Sequence, residues 1–318
     1  MVVLYVVLIV LIILVALYFI IGYVFYSYAM KPKRENLDSR KKENPDNSAW
    51  SGKSEKLISW KNDAKKWAES HLSQSWYTNS FDGLKLHGEY YLQQNTTNKW
   101  ALLVHGYGNR ASQMSGFIKP YFERGYNVLA PDCRGHGKSE GNFIGMGWYD
   151  RLDMVGWINK IIETDPDAEI ILFGVSMGAA TVMMTRGESL PKNVKAVIED
   201  CGYTSIWDEF SYQLKKMYKL QPFPVVYAAN SVCKIRNKFG FREGSALKQL
   251  EKVGVPILFI HGIKDTYVPY GNMPILYTAA CGEKDYLSVP DALHAISAVE
   301  HPDLYYTKVD EFLAQYIH

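Results

Sequence analysis

Residues 169–184 read EIILF, GVSMG, AATVMM: an apolar run Glu169–Phe173, the string Gly174-Val175-Ser176-Met177-Gly178, and a small-residue stretch that suits a helix. A short apolar run ending in glycine reads as a buried strand. The Gly-x-Ser-x-Gly string alone is weak, arising by chance in roughly one chain in eight of this length at ordinary glycine and serine frequencies. Strand before and helix after give it meaning. The glycines permit a tight strand-to-helix turn, and the serine oxygen is lifted above the sheet edge. Ser176 is the candidate nucleophile.

Outward from this stretch the same rhythm continues. Residues 76–92 predict a hairpin turning at Asp82-Gly83. Buried strands are expected at Trp100–Val104, Asn127–Ala130, Val194–Ile198, Pro256–Ile260 and Tyr286–Val289. Helices are expected near 112–124, 148–163, 177–188, 204–219 and Asp303–Tyr316. Strands apolar on both faces, alternating with helices, predict an α/β fold whose mostly parallel sheet is flanked by helices. Residues 76–318 suit one such domain. Ligands in such sheets sit beyond the carboxyl ends of the strands, so the residues after each run carry the chemistry.

After Trp100–Val104 comes His105-Gly106-Tyr107-Gly108-Asn109-Arg110. Two glycines around Tyr107 leave its N–H able to face a tetrahedral intermediate, and the N–H of Met177, opening the helix after the nucleophile, is the partner donor. After Pro256–Ile260 comes HGIKDTYVP (261–269), where Asp265 is the carboxylate expected to orient an imidazole, with Asp200 as the fallback acid. After Tyr286–Val289 comes PDALHA, and His294 alone of eight histidines falls between the last strand and the final helix. His105, His136 and His261 read as loop-packing residues and His301 as surface. Chain order Ser176, Asp265, His294 is that of the α/β-hydrolase arrangement.

At HGYGNR (105–110), PDCRGHGKSEG (131–141), GVSMGA (174–179), HGIKDTYVP (261–269) and LHA (293–295) the chain resembles the α/β-hydrolase superfamily over about 76–318, and within it bacterial membrane-anchored hydrolases of the serine aminopeptidase and acyl-esterase-like branch. The resemblance implies acyl transfer to Ser176, His294 as base then acid, and Asp265 as its orienter. It departs at Asp291-Ala292-Leu293, where relatives often carry glycine. A serine at the elbow argues against dehalogenase or epoxide hydrolase chemistry, which needs a carboxylate nucleophile.

The N-terminus is of another kind. None of the 35 Lys+Arg and 33 Asp+Glu precedes Lys31. Thirty helical residues reach roughly 45 Å, enough to cross a bilayer core. The expectation is a single transmembrane anchor at 1–30, with Tyr23, Tyr26 and Tyr28 as an aromatic belt before Lys31-Pro32-Lys33-Arg34. No basic residues open the run, unlike a secretory signal; Ser27-Tyr28-Ala29 leaves cleavage after Ala29 as the alternative. Basic residues following the helix point the body toward the cytoplasm, and four cysteines without metal or disulfide spacing agree with a reducing compartment. A polar basic linker is expected at 31–53. An amphipathic helix follows at 54–75, where Leu57, Trp60, Ala64, Trp67 and Leu72 share a face expected to pack on the body, with lipid as the other reading. Net charge near zero removes the case for nucleic acid binding.

Residues 203–250 form an aromatic insert, expected to be a small helical lid, with Trp207 expected to line an apolar acyl pocket. No metal, nucleotide or dinucleotide motif appears, so no cofactor is expected. The function read from this pattern is a serine hydrolase, carboxylesterase- or lipase-like, cleaving small-molecule carboxylic esters, short or medium acyl or lipid-derived, or thioesters. The alternatives are an aminopeptidase-like amidase, unsupported by any acidic cluster for a free amino terminus, and an inactive membrane-tethered interaction protein. The oligomeric state stays open.

Overall fold

A computed structural model of the chain describes residues 1–32, 54–71 and 74–317. The expected linker, apart from Lys31 and Pro32, lies outside these residues, as does Leu72. Two compact units result, one of Met1–Lys31 with Ser205–Ser245, the other of Pro32–Thr204 with Ala246–His318.

The larger unit is built on eight strands: β1 (Gln74–Asn79), β2 (Lys85–Tyr91), β3 (Lys99–Val104), β4 (Asn127–Pro131), β5 (Glu169–Val175), β6 (Val194–Asp200), β7 (Ile257–Gly262) and β8 (Lys284–Val289). Their order across the sheet is β1-β2-β4-β3-β5-β6-β7-β8. The β1–β2 hairpin turns through Gly83 at φ +86° and pairs antiparallel, as does β2 with β4; every pairing from β4 to β8 is parallel. Each apolar run read from the sequence is one of these strands. The chain moves from β3 outward to β4 and then back past β3 to β5, so the sheet's switch point lies between β3 and β5.

The helices are α1 (Val2–Met30), α2 (Glu55–Ser70), α3 (Ser115–Glu123, after a 3₁₀ turn at Ala111–Gln113), α4 (Asp150–Thr164), α5 (Met177–Arg186), α6 (Ile206–Tyr218), α7 (Val225–Asn237), α8 (Ala246–Leu250), α9 (Asn272–Ala279), α10 (Ser297–Glu300) and α11 (Pro302–Leu313). One face of the sheet is buried by Phe117, Tyr121, Tyr305 and Phe312 from the flanking helices against Leu103, Phe173, Ile198 and Ile260 of the strands. The aromatic face of α2 is part of this packing. Its N-cap Ser54 accepts from the Leu57 N–H, Trp67 lies against Tyr91 and Phe122, and Trp60 lies edge-on to Phe117. Gly116 exists for that indole: a Cβ there would sit 2.2 Å from the Trp60 ring.

In the smaller unit, α1 is a 29-residue helix long and apolar enough to cross a membrane. The insert contributes α6, capped by Ser205 through the Asp208 N–H, and α7. The unit closes at Ser205 and Ser245, which pair in a β-bridge, so the insert is narrower than 203–250: Tyr203, Thr204 and α8 belong with the sheet.

Candidate active site

The site begins with a backbone conformation. Ser176 joins β5 to α5 at φ +58°, ψ −117°, a region that a non-glycine residue occupies only when its surroundings enforce it. The enforcement is visible in both flanking glycines. A Cβ at Gly174 would stand 2.1 Å from the Gly178 carbonyl oxygen, and one at Gly178 would stand 2.0 Å from that of Val104. The start of α5 is therefore pressed onto the ends of β5 and β3, and any larger residue would force it off. The Ser176 N–H donates to the Asp200 carbonyl at 2.8 Å, fixing the turn from the β6 side. Ser176 is 5% exposed.

Strand register brings the next pieces in. Val104 pairs with Gly174, so the residues after β3 lie beside the elbow, and Gly106 has Ser176 Cβ 3.4 Å from where its own Cβ would be. Tyr107 follows in this loop, and Met177 takes the first position of α5, where backbone N–H groups have no acceptor within the helix. Two histidines hold the loop from below. His105 Nε2 accepts from the Cys133 N–H at 3.0 Å, so its Nδ1 carries the proton and donates to the Gly106 carbonyl at 2.8 Å; burial keeps this imidazole neutral by pushing its pKa down. His136 Nε2 accepts from the Gly108 N–H at 3.2 Å, and its Nδ1 donates to the Arg134 carbonyl at 3.1 Å.

Asp265 and His294 complete the chain of hydrogen bonds. His294 Nδ1 donates to Asp265 Oδ2 at 2.7 Å, which leaves Nε2 to accept from Ser176 Oγ at 2.9 Å. The two side chains are fully buried. Asp265 Oδ1 accepts the N–H groups of Tyr267 and Val268 at 2.8 and 3.0 Å. Burial opposes the charge on this carboxylate, but the attraction of His294 and the hydrogen bonds of His261 and His294 overcome it and hold the pKa down to about 2. The sequence departure before His294 has a structural answer. Asp291 and Ala295 both take φ +58°, and Lys264 Nζ pairs with Asp291 Oδ1 at 2.5 Å, so this loop reaches a glycine-like shape without glycine.

The fallback acid Asp200 is engaged elsewhere: its Oδ2 accepts from the Tyr305 hydroxyl at 3.0 Å, and burial pushes its pKa up to about 6. His261, read as loop packing, does more. Its Nε2 donates to the Val268 carbonyl at 2.9 Å and lies 3.3 Å from Asp265 Oδ2, so it braces both the Asp265 loop and the carboxylate. Its spacing from Asp265, i to i+4 across a strand end, was the available signal. Trp207 belongs to the smaller unit, where its indole stacks on the Arg242 guanidinium at 3.9 Å and meets Tyr227 edge-on at 4.8 Å. Cys201, Asp265 and His294 present ligand-type atoms within 4.8 Å of one another. Burial pushes the Cys201 thiol well above its usual range, and Asp265 and His294 are bonded to each other, so the donor set is poorly suited to a metal.

Chemically, a buried hydroxyl bonded to an imidazole whose far nitrogen is held by a carboxylate is an arrangement that can activate a serine as a nucleophile. Residues 96–228 match the family model described as serine aminopeptidase, S33. The chain is 28% identical over 229 residues to the uncharacterized protein YqkD of Bacillus subtilis, covering 70% of this chain and 74% of that one. It is 26% identical over 249 residues to the uncharacterized protein YfhR of Escherichia coli strain K12, covering 73% and 77%. Among solved structures, the Pyrococcus furiosus esterase Pf2001 superimposes with a TM-score of 0.64 at 23% identity, over 81% of this chain and 96% of that one. The Pyrococcus horikoshii acylaminoacyl peptidase gives 0.59 at 17% identity, over 78% and 42%. At these identities the structural likeness shows the fold.

Proposed function

We propose that this chain, which has the fold of the α/β-hydrolases and matches the S33 serine aminopeptidase model over residues 96–228, is a serine hydrolase of carboxylic esters, with short or medium acyl or lipid-derived esters or thioesters as substrates. The observation that carries the reading is the 2.9 Å bond between Ser176 Oγ and His294 Nε2 at a turn of positive φ. In the proposed reaction Ser176 Oγ attacks the acyl carbon as its proton passes to His294 Nε2. The N–H groups of Tyr107 and Met177 receive the developing oxyanion. His294 then protonates the leaving alkoxide, and water repeats the sequence in reverse to free the acid. Asp265 stays ionised throughout, holding the imidazole by Nδ1 and balancing its positive charge.

A fluorophosphonate probe tests this directly. Wild type is expected to be labelled and to cleave nitrophenyl esters, and labelling or cleavage that persists in Ser176→Ala overturns the assignment. The family model's own description favours one second reading, an amidase acting on aminoacyl substrates on the same triad. Aminoacyl nitroanilides assayed beside a nitrophenyl ester series of rising chain length separate the two.

The proposal includes α1 as an uncleaved anchor with the body facing the cytoplasm. Supporting the absence of cleavage, Tyr26 is buried and its hydroxyl donates to Asn237 Oδ1 within the smaller unit, a contact that cleavage after Ala29 would remove. Cys281 is an exposed free thiol and reports the side: an impermeant maleimide should label it only after cells are opened.

A further inference from the structure

Helix α1 meets the insert at a fixed level along its length. At Gly22 the α7 backbone comes so close that a Cβ would sit 2.5 Å from the Ala228 carbonyl carbon. One turn before, the Tyr18 hydroxyl meets Ser231 Oγ at 3.1 Å; one turn after, the Tyr26 hydroxyl donates to Asn237 Oδ1 at 2.9 Å, beside an edge-on contact of Phe25 with Phe210. Residues 1–17, by contrast, are all exposed. From Val2 to Ile21 a helix rises about 30 Å, the thickness of a bilayer's hydrocarbon core. If that stretch fills the core, Gly22 stands at its boundary. Helix α7, in contact there, then lies at headgroup depth.

The surface of the insert has the composition that this depth calls for. At the end of α6 and in the connection to α7, Met217, Tyr218, Leu220 and Phe223 are exposed, Phe223 by 69%. Lys215, Lys216 and Lys219 stand among them. Over residues 210–242 there are seven Lys and Arg and no Asp or Glu. The Arg236 guanidinium also reaches the rings of Tyr23 and Tyr26, both at 5.9 Å. Lysines in the last turn of α6 complement the helix dipole, but that leaves four large exposed apolar side chains within seven residues unaccounted for. Apolar side chains interleaved with cations are what an interfacial segment presents to an acidic bilayer.

We propose that Met217–Phe223 is an interfacial loop that inserts Met217, Leu220 and Phe223 at the acyl boundary of an anionic bilayer, with Lys215, Lys216 and Lys219 on its lipid phosphates. The inference rests on the reading of α1 as an anchor and adds that the insert is the part of the body that α1 holds on the membrane. It makes the anchor and the insert one membrane-facing unit.

The test uses the full chain with Cys281→Ser, carrying an environment-sensitive dye at Leu220→Cys or Phe223→Cys and reconstituted in phosphatidylcholine vesicles with or without phosphatidylglycerol. A dye–glutathione adduct sets the aqueous baseline, and Val10→Cys reports the spanning segment. The expected result is blue-shifted emission at 220 and 223, quenched by lipids bearing a shallow nitroxide, with quenching falling about twofold or more when Lys215, Lys216 and Lys219 are changed to Glu in the anionic vesicles. Aqueous emission at both positions overturns the proposal. If Val10 then reports lipid, the anchor reading survives alone; if Val10 is aqueous, both fall. Cleavage of nitrophenyl acetate by the same samples confirms a folded enzyme and tests the esterase reading separately.

Discussion

A serine, a histidine and an aspartate are linked by hydrogen bonds at two places in the larger unit. In one, Ser176 Oγ, His294 and Asp265 are joined at 2.9 and 2.7 Å. In the other, Ser75 Oγ meets His87 Nε2 at 3.1 Å and His87 Nδ1 donates to Asp132 Oδ2 at 2.8 Å. Both histidines and both aspartates are buried, and each carboxylate is held below its usual range while accepting two backbone N–H groups. The serines differ. Ser75 is an exposed residue of the β1–β2 hairpin, paired with Glu89, and its backbone is ordinary strand. Ser176 is nearly buried, strained, and followed by a helix start with a glycine loop alongside. The imidazole–carboxylate pair orients a proton acceptor in either place. What separates the two is the backbone around the serine: Ser176 sits at a positive-φ turn that opens a helix beside a glycine loop, whereas Ser75 sits in an ordinary strand.

The largest expected effect follows from that contrast. Ser176→Ala should lower kcat by about 10⁶, the scale seen when a triad serine is lost, whereas Ser75→Ala should leave it within about twofold. The paired measurement is ester turnover with fluorophosphonate labelling. A large loss at Ser75 would show that the second chain is chemical.

Next, Asp265→Asn should cost about 10⁴ in kcat with the fold retained, because the imidazole loses its held tautomer. It also removes a pH term. The Asp265 pKa, about 2 against an ordinary 3.8, contributes about 2 kcal/mol of stability that is present above pH 4 and lost as pH falls toward 2. The gap in unfolding free energy between wild type and Asp265→Asn should therefore narrow in acid. Asp132→Asn breaks the corresponding partner in the other chain, where the carboxylate takes the N–H groups of Ala111 and Lys138 as well as His87. Here the expected loss is stability, about 2–4 kcal/mol by denaturant unfolding, with kcat of the folded enzyme within a few-fold.

These two chains were unequally legible. Ser176, Asp265 and His294 each follow an apolar run that announces a buried strand, so their convergence at one sheet edge could be read from position along the chain. His87 and Asp132 meet through the antiparallel β2–β4 pairing, which sets Gly88 opposite Pro131. Nothing in either local sequence states that register. The same limit hid the packing of Gly22 on Ala228: one glycine in an apolar run looks like any other membrane residue until a helix two hundred positions away arrives. Helix α7 has no clear helical period in its sequence, because VVYAANSVCKIRN mixes β-branched, polar and small residues, and its contacts with α1 are not local. His261 was legible as a position but not as a brace, since its role depends on the loop turning Asp265 back toward it.

Glu199 sharpens the comparison from within the site region, because it is a buried carboxylate without the support that Asp265 has. It ends β6 beside Asp200, its Oε2 accepts the Gly202 N–H at 2.9 Å, and its Oε1 has no hydrogen-bond partner among the described residues. Burial therefore wins over the attraction of His261 and pushes its pKa up to about 8, the opposite direction from Asp265. The sign reverses accordingly. The folded state keeps a proton that the unfolded chain releases above about pH 4.5, so this contribution is complete in mild acid and is lost as pH rises through about 8. Glu199→Gln mimics the protonated form and should remove the slope: relative to wild type, its stability should rise by about 4 kcal/mol between pH 5 and pH 9. Its pH–rate profile should stay in place, since Asp265, not Glu199, is bonded to His294. A profile that moved with Glu199→Gln would mean that the buried acid reaches His294 through His261, and that the unit orienting the imidazole is larger than one aspartate.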